Sequence, residues 1–202
     1  NNMITIIKPA FLRILAIFYN EKSNKIHLRE IARVAGLYGP SVTRCLKLLE
    51  HAGFLSSELE GNLKKYAIRK NNKTYLVFES FDIERFEKLP NIRKNAINTY
   101  LENLPEKPII AMVFGSTAKE AYSEASDVDI LLIVNKKIRT KEAEKEADAL
   151  TSIRISTFQI TYKGFIMELK LKRDPVIQSA IQTGYPLTNH ILYYGVLYNE
   201  RI

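Results

Sequence analysis

Residues 109–134 read IIAMVFGSTAKEAYSEASDVDILLIV, and this stretch decides how the second half of the chain folds. The apolar runs at its two ends are rich in β-forming residues and short enough to be buried strands. The first run stops at Gly115 and Ser116, and we expect a helix to begin near Thr117. The sequence therefore predicts a strand, a glycine turn, a helix and a second strand.

Two aspartates open the second strand. Asp127 and Asp129 are separated by one residue, so their side chains point to the same face of a strand. Neighbouring carboxylates repel each other, and beside a buried strand their charge is costly unless a cation lies between them. Hard divalent cations such as Mg²⁺ bind carboxylate oxygens together with substrate phosphates. The pair therefore predicts a metal site.

The turn between the strands has the features of a phosphate site. Gly115 lets backbone N–H groups come close to a phosphate, and Ser116 adds a hydroxyl at the start of the predicted helix, where anions are favoured. A phosphate-binding turn beside a metal-binding pair is the combination used in phosphoryl transfer. The candidate catalytic residues are Asp127, Asp129 and Ser116.

Residues 113–134, VFGSTAKEAYSEASDVDILLIV, resemble the signature of the DNA polymerase beta superfamily: Gly-Ser, ten residues and Asp-x-Asp. The resemblance is greatest to the minimal nucleotidyltransferases of archaea and bacteria, and it covers about residues 108–195. It implies a mixed sheet with flanking helices. The site residues that it implies are Gly115, Ser116 and Lys119 for a nucleoside triphosphate, and Asp127 and Asp129 for Mg²⁺.

Two departures from the family pattern bear on activity. The pattern continues Gly-Ser with a small residue, Ala, Arg and Gly, where this chain has Thr, Ala, Lys119 and Glu120. Lysine keeps the charge of arginine but lacks its bidentate fork. Active members also carry a third carboxylate on a later strand, which acts as base or metal ligand. The predicted strand at residues 153–162 has no acid, and its alternating polar residues are Thr157, Gln159 and Thr161. Gln159 is the candidate for the position of the third acid, and Thr157 and Thr161 are the alternatives if the register differs by two residues.

The first third of the chain has the pattern of three helices. Apolar residues at helical spacing predict helices at residues 8–19, 28–35 and 41–51, with a glycine-containing turn between the last two. The third helix has short hydrogen-bond donors and cations on its exposed face. These residues, the candidates for contact with DNA, are Ser41, Thr43, Arg44 and Lys47.

A predicted β-hairpin follows at residues 54–68, with Lys64 and Lys65 near its tip. This order is that of a winged helix-turn-helix, whose second motif helix enters the major groove and whose wing contacts phosphates. Residues 28–56, LREIARVAGLYGPSVTRCLKLLEHAGFLS, resemble archaeal and bacterial regulators of that kind. Double-stranded DNA is the expected partner, and docking to a protein is the alternative.

The positive charge is concentrated in the same part of the chain. The 202 residues have a formal net charge of +8. Residues 1–73 hold 13 Lys and Arg against 5 Asp and Glu, whereas residues 108–202 hold 12 against 11. A basic module joined to a nearly neutral one is typical of a polyanion-binding domain fused to another domain, although a merely basic surface would give the same counts.

We therefore predict an α+β protein of two domains. A winged helix-turn-helix is expected at residues 3–72, and a nucleotidyltransferase-type mixed sheet with flanking helices at residues 107–202. Residues 73–106 hold two helical stretches separated by Pro90 and predict a connector that packs on a domain or on a second copy of the chain, as a homodimer. The single Cys45, together with the lack of a long apolar run, indicates a cytoplasmic protein with no membrane partner.

The function favoured by the sequence is DNA binding combined with Mg²⁺-dependent transfer of a nucleoside monophosphate from a triphosphate to an unknown acceptor. Because the third acid is missing, the alternative is a non-catalytic transcription regulator or antitoxin-like protein whose transferase fold binds nucleotide. The family resemblance adds the expectation of a protein acceptor or a small toxin as partner.

Overall fold

A computed structural model describes residues 8–21 and 25–200, and the chain divides into two units, one ending at Phe78 and the other beginning at Glu79. Each unit contains helices and one sheet, which confirms the predicted α+β class. Residues 3–7 and 22–24 of the predicted first domain lie outside the described residues.

The first unit begins with helices whose apolar stripes form its core. Its elements are α1 (Pro9–Glu21), β1 (Ile26–His27), α2 (Leu28–Ala35), α3 (Pro40–His51), β2 (Leu55–Glu60) and β3 (Leu63–Ile68). One residue from each helix stripe, Phe11, Ile31 and Leu46, is almost completely buried. Burial of one stripe per helix is why helical spacing alone located all three helices.

A glycine turn and a hairpin complete this unit. Gly36 ends α2 with φ of 61°, and its N–H donates to the carbonyls of Ala32 and Arg33, as expected for a helix C-terminus. Strands β2 and β3 form the predicted antiparallel hairpin. The two-residue strand β1, which is too short to leave a sequence pattern, pairs with β3 to give the order β1-β3-β2.

Two helices follow on either side of Pro90: α4 (Asn72–Glu87) and α5 (Asn91–Glu102). The boundary between the units falls within α4. Helix α5 contributes Ala96, Ile97 and Tyr100, all fully buried, to the core of the second unit. The residues predicted to form a separate connector are thus divided between the units.

The second unit is built around a four-stranded sheet. Its remaining elements are β4 (Ile110–Phe114), α6 (Gly115–Ala118), β5 (Val128–Val134), α7 (Lys141–Thr151), β6 (Ile155–Thr161), α8 (Tyr162–Leu171), α9 (Pro175–Thr183), β7 (Tyr185–Pro186) and α10 (His190–Glu200). The strand order is β6-β5-β4-β7, with β5 and β6 parallel and the other pairs antiparallel. The expected mixed sheet with flanking helices is confirmed.

The central strands β4 and β5 are buried throughout except at Asp129, which is half-buried. Burial of both faces explains why both strands read as continuous apolar runs in the sequence. Within the described ranges, no helix combines the length and the apolar character needed to cross a membrane.

Candidate functional site

The centre of the site is a contact between a glycine and a carboxylate. Pairing of β4 with β5 places Phe114 opposite Asp129, and Gly115 follows with φ of 67°. A Cβ at Gly115 would overlap Oδ2 of Asp129 and lie 3.1 Å from its Cγ. The Asp129 carboxylate therefore lies directly against the backbone at the start of α6, where only glycine fits.

Asp127 and Asp129 lie together at the start of β5. Asp127 is exposed and Asp129 is half-buried, while Val128 between them is fully buried on the other face of the sheet. Burial, and then the charge of Asp127, raise the pKa of Asp129 above its ordinary value of 3.8. The repulsion expected from the sequence is therefore present in the structure.

The donor set of this pair fits a hard divalent cation. Neither carboxylate has a Lys, Arg or His nitrogen within 4.0 Å among the residues that the structure describes. Two carboxylates with no protein counter-charge suit Mg²⁺, which takes one or two carboxylates and completes its shell with water and substrate phosphates. The described ranges contain no group of three or more His, Cys, Asp or Glu side chains that could hold a metal ion, so the pair alone would hold the cation.

The other predicted site residues lie on or beside α6. Ser116 is half-buried, one residue after Gly115. Lys119 follows the last residue of α6 and is exposed to solvent. The described region thus brings the glycine turn, the serine and the aspartate pair to one end of the β4–β5 pair.

The prediction that Gln159 takes the third-acid position is wrong. Strand β6 pairs in parallel with β5 so that Ser156 lies opposite Asp129, whereas Gln159 lies opposite Leu132 on the other face. The Gln159 side chain is hydrogen-bonded there to the backbone of Ile138. The Ile138 N–H donates to Gln159 Oε1, and Gln159 Nε2 donates to the Ile138 carbonyl, both at 2.9 Å. Both faces of β6 are half-buried, so its polar alternation does not reveal which face meets the aspartates.

Two arginines that the sequence analysis did not single out support this region from the helices that precede β4. Arg85 of α4 donates to the carbonyls of Ala118, at 2.8 Å, and Thr183, at 3.2 Å. Arg93 of α5 donates to Thr117 Oγ1 at 3.1 Å and is 2% exposed. A signal for Arg93 exists in the sequence, since it shares the i, i+3, i+4, i+7 stripe of α5 with three fully buried residues.

Glu120 occupies the place where the family pattern has glycine, and its φ is 55°. A left-handed backbone costs a residue with a Cβ about 1–2 kcal/mol, whereas glycine loses about 0.4–1 kcal/mol through the freedom of the unfolded chain. We expect Glu120→Gly to raise the free energy of unfolding in urea by about 0.5–1 kcal/mol. Lys119→Gly, at φ of −85°, should lower it. Equal losses from both variants would contradict strain at Glu120.

The candidate DNA-contacting residues divide into two groups. Ser41, Arg44 and Lys47 are exposed on α3, and Thr43 is half-buried beside them. Arg44 and Lys47 line an open cleft on this face. The helix therefore presents donors and cations together, as predicted.

The hairpin lysines have intramolecular partners. Lys64 Nζ lies 3.3 Å from a carboxylate oxygen of Glu50, and Lys65 pairs with Glu60. Lys25 pairs with Glu58 of β2 at 2.6 Å. Acidic side chains therefore offset much of the positive charge of the hairpin, which the count of lysines in the sequence did not show.

Comparisons with known proteins bear on the assignment of the second unit more than on that of the first. The family model described as "Polymerase beta, Nucleotidyltransferase" matches residues 95–190, which include Gly115, Ser116, Asp127 and Asp129. No curated protein matches the chain. Among solved structures, TrmBL2, an archaeal chromatin protein described as showing a novel mode of DNA binding, is 19% identical over 90% of this chain and 72% of its own, with a TM-score of 0.29. A TM-score this low supports no argument about fold or function.

Proposed function

We propose that residues 107–202 form a minimal nucleotidyltransferase that binds a nucleoside triphosphate with Mg²⁺ and transfers its nucleoside monophosphate to an acceptor hydroxyl. The observation that carries this proposal is the close contact of the Asp129 carboxylate with the Gly115 backbone. This contact places the phosphate turn next to the aspartate pair. The family-model match over residues 95–190 supports the same reading.

Each site residue has a role in this proposal. Asp127 and Asp129 would hold Mg²⁺, which neutralises phosphate charge and polarises the bonds to phosphorus. The backbone N–H and hydroxyl of Ser116 would bind the triphosphate, and the exposed Lys119 would supply a positive charge to it. The acceptor oxygen forms a bond to the α-phosphorus while the bond to pyrophosphate breaks. Since β6 offers no carboxylate, the proton of the acceptor hydroxyl would pass to water in this proposal.

A third carboxylate can be restored at the position that the sheet register identifies. Ser156→Asp places an acid opposite Asp129 on the neighbouring strand. Because a general base is worth about 10²–10⁴ in rate, we expect this variant to raise Mg²⁺-dependent transfer by up to about 10²-fold. The measurement is the rate of pyrophosphate release with acceptor present.

Gln159→Glu is the matched control for that experiment. It adds an acid three residues away, on the opposite face of β6, and removes the donor to the Ile138 carbonyl. No gain in transfer rate is expected. A gain from Gln159→Glu together with none from Ser156→Asp would contradict the register argument.

Transfer itself is tested by incubating the full chain with each of the four labelled triphosphates and Mg²⁺, alone and with cell lysate. We expect label to pass to an acceptor and to be lost in Asp127→Asn. Label that persists in Asp127→Asn would contradict the assignment of the pair. Binding without any transfer would favour a non-catalytic regulator or antitoxin-like protein that senses nucleotide.

We also propose that residues 3–72 form a winged helix-turn-helix that binds double-stranded DNA. The exposed face of α3 supports this assignment, since Ser41, Arg44 and Lys47 lie on it without an intramolecular carboxylate partner among the described residues. Protein docking through the same face is the alternative.

Arg44→Ala and Lys47→Ala are expected to weaken DNA binding and to flatten its salt dependence. Removal of one ionic interaction with a phosphate lowers the slope of log affinity against log salt by about 0.9. Lys64→Ala and Lys65→Ala should change the slope less, because each lysine already shares its charge with a glutamate. Fluorescence anisotropy of the full chain on genomic fragments over a salt series measures this. Binding without a salt slope, or an unchanged slope in Arg44→Ala, would contradict the DNA interface.

A further inference from the structure

Arg93 is a buried cation that no carboxylate accompanies. Its side chain is 2% exposed within α5, and no Asp or Glu oxygen of the described residues lies within ion-pairing distance of it. Burial lowers the pKa of the guanidinium, yet arginine remains charged in proteins. Burial of an unpaired guanidinium costs free energy unless its N–H groups donate hydrogen bonds to protein acceptors. The partners of Arg93 therefore indicate what it is for.

The hydrogen-bond partners of the Arg93 side chain among the described residues lie between the phosphate turn and the aspartate pair. Nη1 donates to Thr117 Oγ1 at 3.1 Å, and Nη2 donates to the carbonyls of Ser123 and Ser126 at 2.8 and 2.9 Å. The guanidinium carbon lies 4.0 Å from the centre of the Tyr122 ring, within cation–π range. Thr117 directly follows Ser116, and Ser126 directly precedes Asp127.

The segment that Arg93 contacts has no regular secondary structure. Between the end of α6 and the start of β5, residues 119–127 form turns and irregular backbone. A turn at Ser123–Ser126 closes on itself, since Ser126 N–H donates to the Ser123 carbonyl and Ser123 N–H donates to Ser126 Oγ. Arg93 is the side chain that links this turn to α5 and, through Thr117, to α6.

We propose that Arg93 is the positioning residue of the aspartate pair: its guanidinium fixes the turn at Ser123–Ser126 and thereby holds Asp127 beside Asp129. The ligand of the aspartate pair rests on the proposed function. The role of Arg93 in fixing the turn does not depend on that function. The role depends on the planar fork of arginine, because two carbonyls and one hydroxyl must be reached from one group. Lysine can serve only some of them.

The chain offers a matched control in Arg85. This residue also donates to two backbone carbonyls, those of Ala118 and Thr183, and its guanidinium carbon lies 4.1 Å from the centre of the Tyr185 ring. None of these partners lies in residues 119–127. Arg85 is half-buried, and its loss reports the effect of removing an arginine that donates to carbonyls outside the turn.

Hydrogen exchange of the full chain tests the hold on the turn. We expect Arg93→Met to speed exchange of the Ser123 and Ser126 amides at least about 10-fold while β4 stays protected, because the opening is local. Arg85→Met should leave these two amides unchanged, and Arg93→Lys should be intermediate. Equal exchange at the turn in Arg93→Met and Arg85→Met would overturn the proposal.

Titration with Mg²⁺ and a nucleoside triphosphate tests the consequence for the site. Loss of a residue that orients metal ligands typically costs about 10–100-fold in affinity, so Arg93→Met should bind that much more weakly, with Arg93→Lys between it and wild type. Arg85→Met, which frees the Ala118 carbonyl at the end of α6 but leaves the contacts at Ser123 and Ser126 in place, should lower the affinity less than Arg93→Met does. If the turn loosens in Arg93→Met while affinity is unchanged, Arg93 does not position the pair. If wild type binds no triphosphate, the proposed function fails, and hydrogen exchange still decides whether Arg93 holds the turn.

Discussion

Asp129→Asn is expected to abolish Mg²⁺-dependent triphosphate binding and, in the same protein, to raise the melting temperature of the metal-free chain. The amide removes an anionic ligand. Mutation of a residue that only orients metal ligands typically lowers metal affinity by about 10–100-fold. For loss of a ligand itself we therefore expect the affinity to fall by at least about 100-fold. Calorimetric titration and thermal unfolding of the full chain measure the two effects.

The gain in stability follows from the direction of the pKa shift. Burial and the charge of Asp127 raise the pKa of Asp129, so the folded chain binds a proton at this carboxyl more tightly than the unfolded chain does. Stability is therefore lost as pH rises from the ordinary pKa of 3.8 through the raised pKa of the folded chain. Asparagine, which stays neutral, avoids it.

The pH dependence supplies the control for this prediction. The difference in melting temperature between Asp129→Asn and wild type should be greatest near pH 7 and should shrink toward pH 4, where the wild-type carboxyl becomes protonated. Glu146→Gln, which neutralises an exposed carboxylate on α7, should show neither effect. A lower melting temperature of Asp129→Asn at pH 7, or retained binding, would contradict the paired-carboxylate account.

Gly115→Ala should damage both the candidate site and the stability of the second unit. The added Cβ would overlap Oδ2 of Asp129, and the backbone at φ of 67° costs a residue with a Cβ about 1–2 kcal/mol on its own. Either Asp129 moves or the start of α6 moves, and in both cases the phosphate turn and the aspartate pair separate. We expect triphosphate binding to be lost and the free energy of unfolding to fall by more than about 2 kcal/mol.

A double-mutant cycle separates the two causes of that loss. In an Asp129→Ala background the overlap is gone, so Gly115→Ala should cost only the backbone part, about 1–2 kcal/mol. Gly61→Ala provides the same comparison elsewhere, because Gly61 has φ of 59° and no heavy atom within 4 Å of an added Cβ. Equal costs of Gly115→Ala with and without Asp129 would show that the glycine and the carboxylate do not meet.

The sequence predicts those parts of the fold whose burial leaves a periodic pattern. Strands β4 and β5 are buried on both faces and so read as apolar runs, and helices α1 to α3 each bury one stripe. The closeness of Gly115 to Asp129 is likewise predictable, since Gly115 directly follows the first of two paired strands and Asp129 lies at the start of the second.

The remaining features depend on contacts between distant residues. The face of β6 is set by its register with β5, and both its faces are half-buried, so alternation could not distinguish Ser156 from Gln159. The role of Arg93 depends on carbonyls about 30 residues away, which no local pattern encodes. Pairing of Lys64 and Lys65 with glutamates likewise changes the charge of the hairpin without changing its composition.

The site that we propose for a nucleoside triphosphate and Mg²⁺ consists of Asp127, Asp129 and the Gly115 turn. The most direct measurement is calorimetric titration of the full chain with each of the four triphosphates, with Mg²⁺ and with a chelator in its place. We predict saturable binding of at least one triphosphate that requires Mg²⁺ and is lost in Asp129→Asn. Absence of binding by all four triphosphates in the presence of Mg²⁺, or binding that persists equally with the chelator and in Asp129→Asn, would contradict the claim.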